Sequence, residues 1–256
     1  MSVQWADNRH RMLAEVRRIW IDGYLKQSLD NLVRIELGLE ENLDAVSRPW
    51  DLIVQQLDRA PRLLPPGQTM GTTFDELGKA LLILGAPGSG KTTLLLELAR
   101  DLLGRAERDP AHPIPVVFHL SSWAVQRRPL ADWLVDELAK RYYVPRKLAQ
   151  TWIDAEQVLP LLDGLDEVAL EQRAACIEAI NTFRRQHGPV PLAVCSRAAD
   201  YDALSMRMEL SGAVIIEPLS RAQVGTYLKQ TGKSLAGVRT VLRDAESDVI
   251  RPPIPI

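Results

Sequence analysis

The chain has 256 residues, of which 46% are hydrophobic and 25% are charged, as is usual for a globular protein. Its formal net charge of −2 gives no electrostatic basis for nucleic acid or an anionic membrane as the main partner. The sequence has no apolar run long enough to span a membrane and no signal-peptide pattern, and its two cysteines lack metal-ligand spacing. These features predict a cytoplasmic protein that has neither a membrane nor a nucleic acid as a partner.

The first 72 residues are predicted to form a helical segment followed by a linker. Between about residues 9 and 43, apolar side chains recur near the 3.6-residue period of a helix, with arginine and lysine between them. A polar, proline-rich connector follows, which includes residues 48–50 and 62–67. Because proline fixes φ and removes a backbone donor, we expect no regular structure in this connector.

Strands and helices alternate from about residue 73 to 217. The strand candidates are apolar runs at residues 80–84, 115–120, 158–162, 191–195 and 213–216. Amphipathic helices are predicted at residues 92–103, 130–141 and 171–187, with a short one around 201–209, and two more beyond the sheet at 221–230 and about 234–245. This alternation predicts an α/β domain with a largely parallel, doubly covered sheet, in which ligands bind beyond the carboxyl ends of the strands.

The turn after the first strand of this domain carries the most specific motif. The pattern G-x-x-x-x-G-K-[ST] is matched by Gly85, Ala86, Pro87, Gly88, Ser89, Gly90, Lys91 and Thr92. Glycines let successive backbone N–H groups point at phosphate oxygens, and the N-terminus of the following helix adds its dipole. We therefore predict a nucleotide site in which Lys91 reaches the β- and γ-phosphates and the Thr92 hydroxyl binds Mg²⁺.

Acidic residues follow the third strand. Asp163 closes an apolar strand, as the Mg²⁺-binding aspartate of a Walker B motif does. Asp166 and Glu167 bring two more carboxylates to the same edge of the sheet. Either of them could orient or deprotonate an attacking water, and the sequence does not separate the two. The simpler alternative is an acidic loop that caps the helix after it.

Further polar residues follow the other strands. Arg197 ends the fourth strand, and we predict that it contacts the γ-phosphate as an arginine supplied in cis; a surface arginine at a strand end is the alternative. After the second strand, His119 has no partner arrangement for acid–base chemistry, so we expect a structural role for it. Trp123 is expected to pack in the core or to form a subunit contact.

Together, these motifs resemble those of the NACHT family of NTPases, a branch of the STAND class of signalling ATPases. The resemblance covers about residues 11–250, and its strongest part, residues 81–197, has the order and spacing of bacterial members. It implies a P-loop NTPase fold with a five-stranded, mostly parallel sheet of strand order 5-1-4-3-2. It also implies N-terminal helices and, at residues 218–256, the start of a C-terminal helical subdomain.

The resemblance assigns roles to the motif residues. ATP with Mg²⁺ would be held by residues 85–93, including Thr93, with Lys91 as the P-loop lysine. Thr92 and Asp163 would be the metal ligands, and Arg197 the sensor arginine. The family further implies slow hydrolysis of ATP to ADP and phosphate, nucleotide-driven self-association, an effector protein, and a role in signalling or antiphage defence. Because family members usually continue into ligand-detecting repeats, which this sequence lacks, we expect a truncated member.

Alternatives remain open from the sequence. A nucleotide-binding scaffold that never hydrolyses its ligand is compatible with the same motifs, and so is another kind of P-loop NTPase. Residues 48–50, Arg-Pro-Trp, could wrap the base of the nucleotide or form an ordinary hydrophobic contact.

Overall fold

The computed structural model describes residues 3–28, 52–56, 59–64 and 68–217, and the structural statements below concern these residues. The predicted helices at 221–230 and 234–245, the segment 48–50 and the expected subdomain at 218–256 lie outside them. None of the helices in the described part of the chain combines the length and the apolarity needed to cross a membrane.

A seven-stranded sheet forms the centre of the described part of the chain. Its strands are β1 (Leu52–Gln56), β2 (Arg59–Leu63), β3 (Ala80–Gly85), β4 (Ile114–His119), β5 (Val158–Asp163), β6 (Leu192–Arg197) and β7 (Gly212–Ile216). Their order is β2-β1-β7-β3-β6-β5-β4. Strands β3 to β7 run parallel to one another, so their order β7-β3-β6-β5-β4 confirms the predicted order 5-1-4-3-2.

Strands β1 and β2 come from the segment that we predicted to lack regular structure, and for these strands the prediction is wrong. β1 pairs antiparallel with β7 on one side and with β2 on the other. Pro61 lies in β2, the outermost strand on this side of the sheet. An edge strand tolerates proline because the missing N–H need not serve a central ladder of hydrogen bonds.

Eight α-helices lie in the described part of the chain. They are α1 (Val3–Val16), which continues as a π-helix (Arg17–Leu25), α2 (Met70–Glu76), α3 (Lys91–Arg108), α4 (Trp123–Gln126), α5 (Leu130–Arg141), α6 (Arg146–Asp154), α7 (Leu170–His187) and α8 (Ala198–Asp202). The predicted helices at 92–103, 130–141 and 171–187 correspond to α3, α5 and α7. The predicted helix at 201–209 is wrong, because α8 ends at Asp202. Asn181 of α7 holds the chain after it: its Nδ2 donates to the Arg207 carbonyl oxygen at 3.0 Å, and its Oδ1 accepts from Glu209 N at 2.9 Å.

Helix α3, which begins at Lys91 of the glycine-rich motif, packs against the sheet through one apolar face. Leu94, Leu98 and Leu102 recur at the i, i+4 spacing of a helix face, and all three are buried. The helix packs against β3, β4, β5 and β6. Burial of one leucine side chain stabilises a fold by about 1.5–3 kcal/mol, so this face holds α3 firmly in place.

The N-terminal helices pack on α3 and on β4. Trp20, in the π-helix, is buried, and its Nε1 donates to the Tyr142 hydroxyl at 2.7 Å. That hydroxyl donates in turn to the backbone carbonyl of Val117 in β4, also at 2.7 Å. The N-terminal segment is thereby joined to the strand next to β5.

Candidate functional site

The loop between β3 and α3, residues 85–92, is called the glycine loop below. Gly88 and Gly90 have φ angles of 71° and 92°, in the left-handed region that glycine adopts without strain. Gly85 is needed for a different reason, since a Cβ there would lie 2.4 Å from Ser89 Oγ and 3.2 Å from Ile216 Cβ. The glycines therefore permit a tight loop that leads into the N-terminus of α3.

The side chain of Lys91 turns back into the glycine loop. Its Nζ donates to the carbonyl oxygens of Gly85 at 3.2 Å and Ala86 at 2.9 Å. Ser89 Oγ is buried and has no hydrogen-bond partner within the described part of the chain. A helix N-terminus adds backbone N–H groups without intrahelical partners and a positive dipole end. The loop thus combines a cation, an unpaired hydroxyl and a helix N-terminus, an arrangement suited to an anion.

The remaining residues of the predicted loop site lie where the motif places them. Ala86 and Pro87 are exposed in the loop, and Thr93 is half-buried in the first turn of α3. The Ala86 carbonyl, which accepts from Lys91, also accepts from Ser89 N at 3.2 Å and so closes the turn.

Thr92 and Asp163 meet at the carboxyl edge of the sheet, although 71 positions separate them in the chain. Thr92 Oγ1 donates to Asp163 Oδ2 at 3.0 Å. The Asp163 side chain is only 10% exposed, and this burial raises its pKa above the usual range, while the hydrogen bond from Thr92 opposes the shift. A buried carboxylate is costly unless a cation or hydrogen bonds compensate it, so Asp163 is suited to face a positive charge.

His119 lies beside Asp163, a neighbour that the sequence analysis did not identify. Its Nδ1 is 3.9 Å from Asp163 Oδ2, which is too far for a hydrogen bond. Its ring packs against Trp20 with the centroids 5.4 Å apart. The two residues are register partners in β4 and β5, so the predicted strand order already contained the signal that they are adjacent.

Asp166 and Arg197 form an ion pair. Arg197 Nε lies 2.8 Å from Asp166 Oδ2, and the backbone N–H of Arg197 donates to Oδ1 at 3.1 Å. Both carboxylate oxygens are therefore engaged, and the Asp166 side chain is only 7% exposed. Arg197 is the register partner of Gly85 in the β3–β6 pair, so the backbone of Arg197 lies beside the first residue of the glycine loop.

Glu167 has a different environment from Asp166. It is exposed, and it forms no ion pair in the part of the chain that the structure describes. Its carboxyl group lies over Gly164, where a Cβ would be 2.9 Å from Glu167 Cδ and 3.0 Å from Oε2. Gly164 itself has a φ of 78°. Of the two acids that the sequence could not separate, only Glu167 is free to reach another group.

Trp123 is a core residue in this structure. Its side chain is 2% exposed, and its Nε1 donates to the carbonyl oxygen of Arg128 at 2.9 Å. Of the two roles expected for Trp123, the structure therefore supports packing in the core rather than a contact with another subunit.

Comparisons with known proteins bear on this site. The chain resembles a solved structure described as "Structure of C. elegans PCH-2", with 18% identity and a TM-score of 0.37, over 66% of this chain and 43% of that one. This chain thus spans less than half of PCH-2, and at that score the likeness carries no argument about function. No protein of curated function matches the sequence significantly.

A family model described as "NACHT domain" matches residues 79–234. That match takes in the glycine loop, Asp163 and Arg197 and covers more than half of the residues, and the chain therefore belongs to the NACHT family of nucleotide-binding P-loop NTPases.

Proposed function

We propose that this protein is a nucleotide-controlled signalling switch that binds ATP with Mg²⁺ and hydrolyses the ATP slowly to ADP and phosphate. The observation that carries the proposal is the 3.0 Å contact between Thr92 and Asp163. It joins the glycine loop to the acidic end of β5, which is the pairing that a P-loop NTPase requires.

The phosphate-binding part of the proposal rests on Lys91. Its ammonium group donates to two neutral carbonyl groups of the loop. Phosphate oxygens are charged acceptors, and charge-assisted hydrogen bonds are roughly twice as strong as neutral ones. The β- and γ-phosphates would therefore draw Lys91 away from the carbonyl groups, while the N-terminus of α3 binds the same anion.

Mg²⁺ fits the donors at the edge of the sheet. Thr92 Oγ1 and Asp163 Oδ2 are hard oxygen donors 3.0 Å apart, and adjacent ligands of an octahedral Mg²⁺ are about 3 Å apart. No three His, Cys, Asp or Glu residues converge in the described part of the chain. Mg²⁺ commonly takes only one or two protein ligands and completes its shell with water and phosphate oxygens. When bound, it would neutralise charge on the phosphates.

Glu167 is the acid that we assign to the attacking water. Asp166 is engaged on both oxygens by Arg197, whereas Glu167 is exposed and unpaired by any cation of the described chain. A water-orienting carboxylate must be free to accept a hydrogen bond from the water. This difference favours Glu167, with Asp166 as the partner of Arg197.

The switch would depend on Arg197, which has two competing partners in this proposal. Its guanidinium is 47% exposed and pairs with Asp166. A γ-phosphate at the glycine loop would compete for the same guanidinium, whereas ADP would leave the ion pair intact. Differential contact of this kind is what a ligand needs in order to shift a conformational equilibrium. Nucleotide state would then control conformation or self-association and, through an effector protein, a cytoplasmic signal.

Calorimetric titration of ATP and ADP tests the binding proposal. Lys91→Ala should abolish measurable ATP binding, because it removes the charge that faces the phosphates. Lys140→Ala, which removes the same charge from the exposed side of α5, is the control and should bind as the wild type does. Unchanged affinity in Lys91→Ala would overturn the proposal.

Phosphate release tests the hydrolysis proposal. Glu167→Gln should bind ATP and lose hydrolysis by about 100-fold or more, the usual contribution of a positioned acid or base. If the wild type binds ATP tightly but releases phosphate no faster than Glu167→Gln, the protein is the non-hydrolysing scaffold instead. Sedimentation in ATP and in ADP tests the control of self-association, and identical profiles would contradict it.

A further inference from the structure

Arg173, in the first turn of α7, joins three separate groups near the carboxyl edge of the sheet. Its Nε donates to the carbonyl oxygen of Val168 at 2.9 Å, and one terminal nitrogen donates to the carbonyl oxygen of Asp166 at 2.7 Å. The other terminal nitrogen donates to Asp200 Oδ1, in α8, at 2.6 Å. The side chain is only 12% exposed. The sequence shows it as an ordinary helix arginine, and nothing above gives it a role.

Two ion pairs connect the same two segments with opposite polarity. Arg173 pairs with Asp200, so the cation lies on the β5–α7 side and the anion on the β6–α8 side. Asp166 pairs with Arg197, so here the anion lies on the β5–α7 side. We call these four residues the crossed clamp. Because both pairs span the same gap, each restricts the sliding that the other would permit.

The crossed clamp acts on the acidic loop, residues 164–168. Within this loop, Glu167 N donates to the Gly164 carbonyl at 3.0 Å and Val168 N donates to the Leu165 carbonyl at 3.2 Å. A single turn of this kind has few bonds of its own. Arg173 adds two, and they hold the carbonyl groups of Asp166 and Val168, on either side of Glu167. The guanidinium therefore fixes the backbone that carries the Glu167 carboxyl group.

We infer that Arg173 is a positioning residue for nucleotide hydrolysis, which holds the acidic loop so that Glu167 faces the nucleotide even when the γ-phosphate competes with Asp166 for Arg197. The inference rests on the proposed hydrolytic function. In the described structure the hydrogen bonds of Arg173 go to Val168, Asp166 and Asp200 and none goes to the glycine loop, so its effect should fall on hydrolysis rather than on nucleotide affinity. Lysine cannot replace it fully, since one ammonium group lacks the planar fork that reaches three acceptors at once.

Three variants separate the parts of this role. Arg173→Met removes all three bonds and should lower kcat by about 10- to 100-fold, the effect of a small misplacement of a catalytic group. The Kd of Arg173→Met for ATP should change by less than about 3-fold, because the variant misplaces Glu167 but leaves the glycine loop that binds the phosphates intact. Arg173→Lys should fall between Arg173→Met and the wild type. Asp200→Asn keeps an acceptor and both carbonyl bonds, so it should lower kcat least.

Arg105→Met is the matched control. Arg105 forms an ion pair of the same 2.6 Å length with Asp75, and its side chain is also largely buried, at 29% exposed. Arg105 lies in the C-terminal half of α3, away from the glycine loop. If Arg173→Met and Arg105→Met have equal kcat values in an active wild-type background, the inference is wrong and the proposed hydrolysis stands. If Arg173→Met does not fold, a wild-type kcat in Arg173→Lys overturns the inference in the same way.

Hydrogen exchange tests whether Arg173 holds the acidic loop, and this test is independent of hydrolysis: a wild type that does not hydrolyse ATP would refute the proposed function, whereas unchanged exchange would refute the hold of Arg173 on the loop. The amides of Glu167 and Val168 report on the turn directly. Arg173→Lys should raise their exchange rates by about 10-fold relative to the wild type, since local opening becomes easier when backbone bonds are lost. Unchanged exchange at both amides would overturn the inference. A rise confined to these amides, with β6 unaffected, would support it.

Discussion

Replacing Gly164 with alanine should separate the loss of hydrolysis from the loss of stability. Gly164 has φ 78° and ψ 49°, a left-handed conformation that costs alanine about 1–2 kcal/mol. The new Cβ would lie 2.9 Å from Glu167 Cδ, so the Glu167 carboxyl must move. Because that group is the end of a flexible side chain, its movement adds little to the cost in stability. We expect the free energy of unfolding to fall by about 1–2 kcal/mol and phosphate release to fall by about 10-fold or more.

Gly78→Ala is the matched control for this variant. Gly78 has a φ of 67°, and a Cβ there would meet only Ser211, at 3.3 Å. It lies before β3, at the end of the strand opposite the glycine loop. Denaturant unfolding should give similar losses for both variants, whereas phosphate release at saturating ATP and Mg²⁺ should fall only in Gly164→Ala. Equal hydrolysis by the two variants would refute the placement of Glu167.

Three further results are expected. Tyr142→Phe removes the acceptor of the buried Trp20 indole N–H and a donor to the Val117 carbonyl, so urea unfolding should show a loss of about 2 kcal/mol. A loss below about 0.5 kcal/mol would contradict this expectation. Burial raises the pKa of Cys176 to about 12. As the pH rises, the unfolded chain therefore loses this thiol proton before the folded chain does, and the free energy of unfolding falls. A urea midpoint that does not fall between about pH 8 and 10 would contradict this expectation. Arg197→Ala should leave ADP affinity near the wild-type value and weaken the preference for ATP, whereas equal loss of both nucleotides in paired titrations would make Arg197 structural.

The parts of the fold that follow from local pattern could be predicted from the sequence. The glycine loop lies between an apolar run and a helical period, so β3, the loop and α3 were all expected, and the strand order followed from the resemblance. The pair β1–β2 could not be predicted in this way. β1 gains its place in the sheet from β7, a strand far along the chain, and no local pattern encodes such a partner. Helix α8 stops early for the same kind of reason, since the chain after it bonds to Asn181 in α7, 26 and 28 positions away.

The site shows a similar division. Thr92 and Asp163 were expected to meet because the carboxyl ends of parallel strands share one edge, and the structure gives them a 3.0 Å contact. Asp166 and Glu167 have nearly the same chemistry and are neighbours in the chain, so composition and spacing cannot tell them apart. The difference between them comes from Arg197, which reaches Asp166 from another strand. A distinction that depends on a third residue across the sheet becomes visible only once the fold is known.

Ile216, the last residue of β7, is the register partner of Gly85 on one side and of Leu52 on the other. The three residues form one row across adjacent strands, and neighbouring strands lie about 4.8 Å apart. The backbone therefore enters the sheet at Leu52 and departs after Ile216 within roughly 10 Å of the first glycine of the loop. Tension along either strand is carried to that glycine as shear on ladder hydrogen bonds, without any intervening side chain. This edge of the sheet thus links the glycine loop to the start of β1 and the end of β7 through the backbone alone.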